Sequence, residues 1–301
     1  MGLKSLAAPF LARYIVSKTR AWASKPVQTQ QKIFKKLIST ATLTQFGKDH
    51  AFKEIESYND FKRRVPISDY EGLRRYIDQA VEGKENILWP GKPVYFAKTS
   101  GTTSGAKFIP ITKESIPYHI NSARDLLLHY VYHSGSAAFT EGKMIFLSGS
   151  PKLDKNNGIL TGRLSGIVNH HVPNYLQKNR VPTYKTNCIE DWEEKVGAIV
   201  KESLHEDMRL ISGIPPWLIT YFEKLIEKGG KPLGELFPNL ELIVHGGVNY
   251  APYSETIKKL IGREIPSLET FPASEGFFAY QDTLTEEGLL LLLNNGMFYE
   301  F

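Results

Sequence analysis

The sequence predicts an α/β fold that contains at least one largely parallel sheet. From residue 94 onward, short apolar runs alternate with longer amphipathic segments, and turns rich in Gly and Ser close several of the apolar runs. The 301 residues, of which 42% are apolar and 23% charged, suffice for one large domain or two ordinary ones. This composition excludes a disordered chain, a collagen and a coiled coil.

Proline, glycine and capping residues place the boundaries of the predicted helices. Helices are predicted over residues 3–23, 28–45, 69–81, about 113–132 and 190–204, from Pro215 to Gly229, and from Ser254 to Gly262. Pro26 separates the first two helices, and Ser68 is the predicted N-cap of the third. Pro215-Pro216 at the start of one helix and Gly229-Gly230 at its end follow the usual asymmetry of helix termini.

Short apolar runs give the predicted strands. They lie at residues 94–97, 144–147, 208–211, 240–244, 289–293 and 297–301. Asn294-Asn295-Gly296 lies between the last two runs and predicts a β-hairpin turn. Because Tyr299-Glu300-Phe301 ends inside an apparent strand, we expect the chain to be a fragment of a longer protein, with an unpaired edge strand that promotes self-association.

The excess positive charge of the sequence lies in its N-terminal segment. Residues 1–48 contain nine Lys or Arg and no Asp or Glu, whereas the remainder contains 28 basic and 32 acidic residues. A transit peptide and a membrane-surface helix are two interpretations of such a segment. A solvated helix face on a folded domain is favoured, because a transit peptide is usually richer in Arg and Ser. Few aromatic residues lie among the basic ones, so nucleic-acid binding is not predicted.

Cysteine and histidine content limits the classes of site. Cys188 is the single cysteine, which excludes an internal disulfide and a cysteine-based zinc site. His129 and His133 have the spacing of a helical ligand pair, and His170-His171 is a second pair, but neither has an evident third ligand. A reducing cytoplasm fits this cysteine content, and no apolar run reaches about 18 residues. We therefore predict a cytoplasmic protein without stable membrane insertion.

The most informative motif is a loop at residues 99–107, directly after the predicted strand at 94–97. It combines hydroxyl groups, two glycines and a lysine: Thr99, Ser100, Gly101, Thr102, Thr103, Ser104, Gly105 and Lys107. Glycine lets the backbone approach a phosphate, N–H and O–H groups donate hydrogen bonds, and the lysine offsets the negative charge. The Gly-Lys-Ser/Thr ending of a Walker A loop is absent. A mobile linker is the alternative interpretation.

Two further loops are predicted to lie beyond the carboxyl ends of strands, where α/β sheets bind their ligands. The paired glycines of His245–Tyr250 would allow a flat ring to lie against the backbone. Phe271–Gly276 supplies a hydroxyl and a carboxylate, the groups needed to hold a phosphate and a magnesium ion. Each loop taken alone is also compatible with a plain turn.

Together the three loops resemble a known superfamily. Thr99–Lys107 resembles the first signature of adenylate-forming enzymes, which include acyl-CoA synthetases, peptide-synthetase adenylation domains and luciferases. Phe271–Gly276 resembles their aromatic-x-x-Ser/Thr-Glu signature. Further segments resemble one branch, the auxin-responsive promoter family of acyl-acid amido synthetases in its bacterial type: Thr44–His50, Phe108–Thr112, Gly246–Asn249 with Pro252-Tyr253, and Phe298–Phe301. The resemblance extends from about residue 10 to the last residue.

The resemblance implies a role for each matching residue. Thr99–Lys107 would bind the ATP phosphates, Ser274 would contact the α-phosphate, and Glu275 would hold Mg²⁺. Ser274, Glu275 and Lys107 are thus the implied catalytic residues. The adenine-binding residues would be Gly246, Gly247, Val248, Phe271, Pro272 and Ala273. A less specific prediction is an acyl pocket lined by Ile214, Pro215, Trp217 and Phe277.

The implied activity is the ATP- and Mg²⁺-dependent adenylation of a small carboxylic acid, followed by transfer of the acyl group to an amine such as an amino acid. The implied fold is the large N-terminal domain of adenylate-forming enzymes, with mixed and largely parallel sheets flanked by helices. Residues 1–301 would form this domain, and the basic segment 1–48 would pack on it.

The sequence departs from the family pattern in two respects. The first aromatic residue of the second signature is Phe271 rather than Tyr. The family's ribose-binding Asp segment and its small C-terminal lid domain would lie beyond Phe301, so we expect this chain to bind nucleotide and to turn over poorly. Three alternatives remain open: a nucleotide- or acyl-binding module without turnover, an acyl-CoA-forming ligase, and a peripheral membrane or scaffold protein.

Overall fold

A computed structural model of the chain describes residues 3–99, 106–286 and 288–301. Its strands are β1 (Tyr95–Thr99), β2 (Lys107–Ile111), β3 (Lys143–Phe146), β4 (Asp154–Asn156), β5 (Ile159–Gly162), β6 (Arg180–Val181), β7 (Met208–Gly213), β8 (Leu242–Gly246), β9 (Ser267–Ala273), β10 (Gly276–Tyr280) and β11 (Leu290–Leu291). They form one sheet of seven strands and one of four.

The seven-stranded sheet has the order β11-β10-β9-β8-β7-β3-β6. The five strands from β9 to β6 pair in parallel, and β10 and β11 add antiparallel strands at one edge. The second sheet has the order β2-β1-β5-β4, in which only β1 and β5 are parallel. The prediction of mixed and largely parallel sheets is confirmed.

Helices flank the sheets. They are α1 (Leu3–Ala23), α2 (Pro26–Ala41), α3 (Gln45–Asp49), α4 (Tyr58–Arg64), α5 (Tyr70–Val81), α6 (Ile116–Ser134), α7 (Leu164–Asn169), α8 (Asn174–Gln177), α9 (Tyr184–Asn187), α10 (Trp192–Ser203), α11 (Pro215–Gly229), α12 (Leu233–Leu236) and α13 (Ala251–Ile261). Two short 3₁₀ turns cover Phe52–Glu54 and Ala138–Glu141. None of the described helices is long and apolar enough to span a lipid bilayer.

Two hydrophobic cores lie on opposite faces of the seven-stranded sheet. Strand β8 shows the division, because Ile243 points into one core while Leu242 and Val244 point into the other. Helices α10, α11 and α13 cover the first face, and α1 and α6 cover the second. Burial on both faces explains why Leu242, Ile243 and Val244 of β8 form a continuous apolar run in the sequence.

Two predicted helix starts differ from the structure. Helix α5 is capped by Asp69 rather than Ser68, since the Asp69 carboxylate accepts a hydrogen bond of 2.9 Å from the Gly72 backbone N–H. Helix α13 begins at Ala251 rather than Ser254. Pro252 occupies its first turn, where backbone N–H groups have no partner within the helix and proline, which lacks an N–H, is tolerated.

The predicted C-terminal hairpin is wrong. Leu290–Leu291 forms the short strand β11, but residues 297–301 form no strand. Gln30 of α2 holds this segment instead: its side-chain amide donates to the Leu293 and Met297 carbonyls at 2.6 and 3.0 Å, and its oxygen accepts from the Tyr299 N–H at 2.8 Å. The prediction of an edge strand at Tyr299–Phe301 is therefore wrong. Self-association through such a strand is no longer expected.

Replacing Gln30 with alanine should lower the free energy of unfolding by about 1–3 kcal/mol, because three partly buried backbone groups lose their partner together. Urea denaturation measures this change. The neighbouring Gln31 is exposed, so Gln31→Ala should change stability by less than about 0.5 kcal/mol. Equal effects of the two substitutions would show that the Gln30 contacts do not hold the segment.

Candidate functional site

The carboxyl ends of β7, β8 and β9 lie side by side in the parallel part of the large sheet. Gly213 pairs with His245, and Gly246 pairs with Thr270. Residues that follow these strands therefore reach the same edge, where α/β sheets bind ligands. Ile214, Gly247 and Phe271 are the first residues beyond these pairs.

Gly246 allows β8 and β9 to approach closely at this edge. A Cβ atom at Gly246 would lie 2.2 Å from the Thr270 carbonyl oxygen and 2.6 Å from the Thr270 hydroxyl oxygen. The Thr270 hydroxyl donates a hydrogen bond of 3.0 Å to the His245 carbonyl, which further joins the two strand ends. Only a residue without a side chain fits at position 246.

The next residues leave an open backbone surface. Gly247 has a φ of +84°, a left-handed conformation that glycine adopts without strain, and a Cβ there would lie 3.1 Å from Cγ2 of Ile214. The Val248 side chain is 41% exposed and that of Phe271 is 53% exposed. The structure thus brings the two predicted adenine-binding segments, 246–248 and 271–273, to one edge of the sheet.

Phe271–Ala273 belongs to strand β9 rather than to a loop, which corrects the sequence interpretation. These residues extend beyond the end of β8 and pair only with β10, so Pro272 leaves no gap in the β8–β9 hydrogen bonds. The Phe271 ring lies 5.4 Å from the Phe278 ring, a contact between the hairpin strands.

Ser274 and Glu275 form the two-residue turn between β9 and β10, where Ala273 pairs with Gly276. Glu275 is exposed and Ser274 is half-buried. Within the described part of the chain, neither side chain has a hydrogen-bond or ion-pair partner. Their oxygens are therefore available to a phosphate or to a hard cation such as Mg²⁺.

Only the ends of the predicted phosphate loop lie within the described residues. Thr99 ends β1 and pairs with Lys107, the first residue of β2, while Ser100, Gly101, Thr102, Thr103, Ser104 and Gly105 lie outside the described ranges. Lys107 is thus a strand residue, and its ammonium group lies 5.2 Å above the Tyr70 ring. The Tyr70 hydroxyl accepts a hydrogen bond of 2.9 Å from the Phe108 N–H, so α5 anchors this strand.

The four residues predicted to line an acyl pocket do not form one surface. Ile214 contacts the Gly247 backbone region, and Pro215 is buried at the start of α11. Trp217 stacks on Trp192 at 4.5 Å beside the core under α11. Phe277 is buried in the core on the opposite face of the sheet. Trp217 and Phe277 thus belong to opposite faces of the sheet, and the acyl pocket stays a prediction.

A cleft of about 260 Å³ borders the Ser274-Glu275 turn instead. Its walls come from α2, the segment before β1, the end of β2, the start of α6 and the segment after β11. The lining residues are Ile33, Lys36, Leu37, Leu88, Trp89, Pro110, Thr112, Glu114, Ser115, Tyr118, His119, Glu275, Gly276, Asn295, Gly296 and Met297. A mostly apolar wall with a few polar groups is typical of a small-molecule site.

His119 is the most deeply buried polar side chain of this cleft. The residue is 5% exposed, and no described residue forms a hydrogen bond with its Nδ1. Burial lowers the pKa of the imidazole, because the surrounding apolar groups disfavour the charged form. The ring is therefore neutral near pH 7.

A comparison with families of known proteins matches residues 16–179, more than half of the chain, to the GH3 family N-terminal domain. The chain belongs to the GH3 family. This confirms the family resemblance that the signatures indicate, while its bacterial type stays a prediction.

Two plant relatives of this GH3 chain are amido synthetases by name. Indole-3-acetic acid-amido synthetase GH3.15 of Arabidopsis thaliana is 29% identical over 137 residues, which are 44% of this chain and 22% of that protein. The probable indole-3-acetic acid-amido synthetase GH3.13 of Oryza sativa subsp. japonica is 38% identical over 58 residues, 19% of this chain and 12% of that protein. The matched parts are thus a minor fraction of either relative.

Solved structures share the fold at low identity. AtGH3.15 acyl acid amido synthetase in complex with 2,4-DB superposes with a TM-score of 0.75 at 17% identity, over 92% of this chain and 58% of that chain. A 2-hydroxyisobutyryl-CoA ligase in complex with 2-HIB-AMP and CoA superposes with a TM-score of 0.59 at 12% identity, over 89% of this chain and 54% of that one. The GH3 chain therefore has the adenylate-forming fold and spans little more than half of these proteins.

Sequence reasoning missed the cleft because its walls come from segments that are distant in the chain. His119 is one of eight histidines and carries no motif of its own. The available signal was Glu275, because a turn that is predicted to bind a ligand is expected to border the space that the ligand fills.

Three of the four histidines considered as metal ligands in the sequence have protein partners: His129, His170 and His171. His129 lies 3.2 Å from the Thr19 hydroxyl, and His171 lies 3.1 Å from the Tyr95 hydroxyl. His170 lies 2.7 Å from the Pro151 carbonyl. Within the described ranges, no three His, Cys, Asp or Glu side chains are grouped so as to hold a metal ion.

His245 lies near the end of β8, directly before the predicted adenine-binding residues Gly246 and Gly247. Its ring stacks on Tyr250 at 3.7 Å with an interplanar angle of 12°, and among the described residues its Nδ1 has no hydrogen-bond partner. Burial lowers the pKa of His245 from 6.5 to about 4. The unfolded chain therefore binds a proton between pH 6.5 and 4 that the folded chain does not bind.

We expect the free energy of unfolding to fall by about 3 kcal/mol between pH 6.5 and 4 through His245 alone, because a depressed histidine pKa favours the unfolded state as the pH drops. His245→Phe keeps a ring against Tyr250 and should flatten this part of the stability profile in urea titrations. His205→Phe, at an exposed position, is the control. An unchanged pH slope in His245→Phe would contradict the assignment.

Proposed function

We propose that this GH3 chain adenylates a small carboxylic acid with ATP and transfers the acyl group to an amine. One observation carries the proposal: residues 246–248 and 271–273 meet at a sheet edge, and the Ser274-Glu275 turn that follows them borders a cleft suited to a small molecule. Nucleotide and acid would thus lie on the two sides of one turn.

The nucleotide occupies the open edge of the large sheet in this proposal. Adenine lies on the backbone of Gly246-Gly247, between Val248 and the exposed ring of Phe271, because a flat base needs an apolar surface without intervening Cβ atoms. Residues 99–107, with Lys107 at the start of β2, bind the phosphates. Lys107 supplies a positive charge and the backbone of the loop supplies N–H donors.

The first step joins the acid to AMP. A carboxylate oxygen attacks the α-phosphorus, and the bond between this phosphorus and the bridging oxygen to pyrophosphate breaks. Charge develops on the phosphate oxygens, so fixed donors such as the Ser274 hydroxyl stabilise the transition state. Mg²⁺ held by Glu275 would neutralise part of this charge, and the carboxylate of Glu275, which is exposed and has no partner among the residues that the structure describes, fits such an ion.

The second step releases AMP. The amine nitrogen attacks the acyl carbon, the bond to the AMP oxygen breaks, and the nitrogen loses a proton to give an amide. The names of the plant relatives, both amido synthetases, support an amine acceptor over CoA. The CoA ligase among the structural neighbours makes the thioester the second candidate.

Acid-dependent exchange of labelled pyrophosphate into ATP tests the first step. We expect slow exchange above the acid-free background with at least one member of a panel of small aryl and aliphatic acids. Amino acids and CoA, added in separate reactions, then distinguish amide from thioester formation. ATP binding without exchange for any acid would favour a nucleotide-binding module.

Lys107→Ala should weaken ATP binding by about 1.5–3 kcal/mol and leave adenosine binding unchanged, because the lysine contacts only the phosphates. Isothermal titration calorimetry with both ligands measures this difference. Equal losses of affinity for ATP and for adenosine would show that Lys107 stabilises the fold rather than binds the phosphates. Lys113→Ala, at an exposed position after β2, is a matched control.

A further inference from the structure

We propose that the outward face of helix α1 binds the surface of an anionic lipid membrane. The helix lies in the plane of the headgroups, with the rings of Phe10 and Tyr14 at the boundary of the acyl chains and basic side chains beside the lipid phosphates. The protein is then attached to a membrane surface without spanning it. This inference goes beyond the proposed function and does not depend on it.

Helix α1 is held to the rest of the protein by one side only. Ala12 and Ile15 are buried in the core that α1 shares with α6, and Trp22 packs against the same core. The opposite side of the helix faces outward. An interfacial helix needs this arrangement, because its outward side must be free to meet the membrane while its inner side carries the domain.

The outward side carries a compact apolar patch. Phe10 is 74% exposed, Tyr14 is 55% exposed and Leu11 is 44% exposed. Tyr14 lies four positions after Phe10 and three after Leu11, so the three side chains are neighbours on the helix surface. The sequence favours a solvated face here, whereas the structure shows large apolar groups side by side. Contiguous exposed apolar patches mark interaction sites, while scattered ones need no explanation.

Basic side chains border this patch on both sides. Arg13 lies on the side of Phe10, three positions further along the helix, and Lys18 lies on the side of Leu11, two helical turns further along. The Lys18 ammonium group is 4.4 Å from the centre of the Tyr14 ring. An apolar centre with cationic edges is typical of a helix that lies in a membrane interface, where the cations meet anionic headgroups.

The charge around the patch indicates an anionic partner. Residues 1–48 contain nine Lys or Arg and no Asp or Glu. Asp125 of α6 is within electrostatic range of Lys18, but Arg124 already binds its carboxylate at 2.6 Å. Among the residues that the structure describes, neither Arg13 nor Lys18 forms an ion pair. Their positive charges are therefore available to lipid phosphates.

A membrane fits this face better than other anionic or apolar partners. Two copies of the chain in contact through α1 would bring their basic residues together, and such like-charge contacts are unfavourable. Phe10 and Leu11 have no polar atoms in their side chains, so they gain most from an apolar phase, which a nucleic-acid backbone does not offer. The Tyr14 ring, with its polar hydroxyl, suits the headgroup level. A convex helix face also needs no matching groove in a fluid membrane.

Co-sedimentation of the 301-residue protein with lipid vesicles tests the proposal. Vesicles of phosphatidylcholine alone are compared with vesicles that contain about one third phosphatidylglycerol, each at about 50 and about 500 mM NaCl. We expect binding to the anionic vesicles at low salt. Partitioning should be at least about tenfold weaker at high salt or onto phosphatidylcholine alone. Absence of binding to the anionic vesicles at low salt would overturn the proposal.

Paired substitutions separate the apolar and the basic contributions. Phe10→Ser combined with Tyr14→Ser should weaken partitioning at least about tenfold, because two rings no longer leave water. Arg13→Gln combined with Lys18→Gln should have an effect of similar size, because two cations are lost from the edges of the patch. All four side chains are exposed, so thermal unfolding followed by circular dichroism should match that of the original protein. Unchanged partitioning of either folded variant would overturn the role of this face.

A matched charge control lies on the other side of the sheet. Lys258→Gln combined with Lys259→Gln, at exposed positions of α13, should change partitioning by less than about threefold. An equal loss in this control would show that net charge alone attracts the protein to vesicles, which would overturn the assignment to α1. Salt-sensitive binding to polyglutamate without vesicle binding would assign the face to an acidic protein instead. A dimer that requires Phe10, without vesicle binding, would assign it to a second copy of the chain.

Discussion

Replacing Gly246 with alanine is expected to lower the free energy of unfolding by about 3 kcal/mol. The added Cβ would lie 2.2 Å from the Thr270 carbonyl oxygen, which is backbone and cannot rotate away. Strand ends β8 and β9 would have to separate, with loss of the pairing between Gly246 and Thr270. Chemical denaturation measures the loss of stability.

The same substitution should abolish measurable ATP binding under conditions where the variant stays folded, because the separated strand ends carry both predicted adenine-binding segments. Gly197→Ala is the matched control. Gly197 lies inside helix α10 with no atom within 4 Å of its Cβ position, so alanine there should stabilise the helix by about 0.5–1 kcal/mol. A Gly246→Ala protein with the original stability and ATP affinity would show that the edge is not closely packed.

Glu275→Gln should weaken ATP binding about 10- to 100-fold in the presence of Mg²⁺ and leave it unchanged in EDTA. The substitution removes the negative charge that a magnesium ion requires and keeps the shape of the side chain. Glu275 is exposed and has no protein partner within the described residues, so folding should not be affected. Titrations with and without metal separate the two contributions.

Glu255→Gln provides the comparison for this experiment. Glu255 is an exposed carboxylate on α13, and its nearest basic partner, Lys258, is 3.9 Å away. Its substitution should leave ATP affinity unchanged with or without Mg²⁺. If the Glu275→Gln protein matches the original in both titrations, Glu275 is not the magnesium ligand.

Sequence patterns predicted the elements whose boundaries have local causes. Helix α11 begins at Pro215 and ends at Gly229 as expected, because proline and glycine fix helix termini within a few residues. Strands β3, β7 and β8 of the large sheet were predicted from apolar runs, since both faces of the sheet are covered by helices. Strands β6 and β9 contain no such run and were not predicted.

Strand β2 was not predicted, because Pro110 within Lys107–Ile111 argues against a strand. It is tolerated there because β2 lies at the edge of the four-stranded sheet, where one side needs no hydrogen bonds. The C-terminal hairpin was predicted wrongly because its local sequence pattern favours a turn that the contacts of a distant residue prevent. Local turn signals at Asn294–Gly296 were overridden by the hydrogen bonds of Gln30, which is more than 260 residues away in the chain.

The candidate site was predictable only where a motif carries several chemical groups together. Segments 246–248 and 271–276 were recognised from their glycines and from the Ser-Glu pair, and the structure places them at one sheet edge. The cleft and His119 depend on how α2, α6 and the turn after β9 pack against one another. No local pattern encodes that packing. The residues predicted to line the acyl pocket therefore include side chains that lie on two different faces of the sheet.

The central claim is that nucleotide and acid bind on the two sides of the Ser274-Glu275 turn. A non-reactive acyl-adenylate analogue, an acyl-sulfamoyl adenosine, occupies both positions in one molecule and resembles the intermediate of the first step. Its dissociation constant, measured by calorimetric competition with ATP on the 301-residue protein, tests the claim most directly. We expect the analogue to bind at least about 100-fold more tightly than AMP, as is usual for analogues of reaction intermediates. An affinity equal to that of AMP would contradict the claim, because the acyl group would then have no site beside the nucleotide.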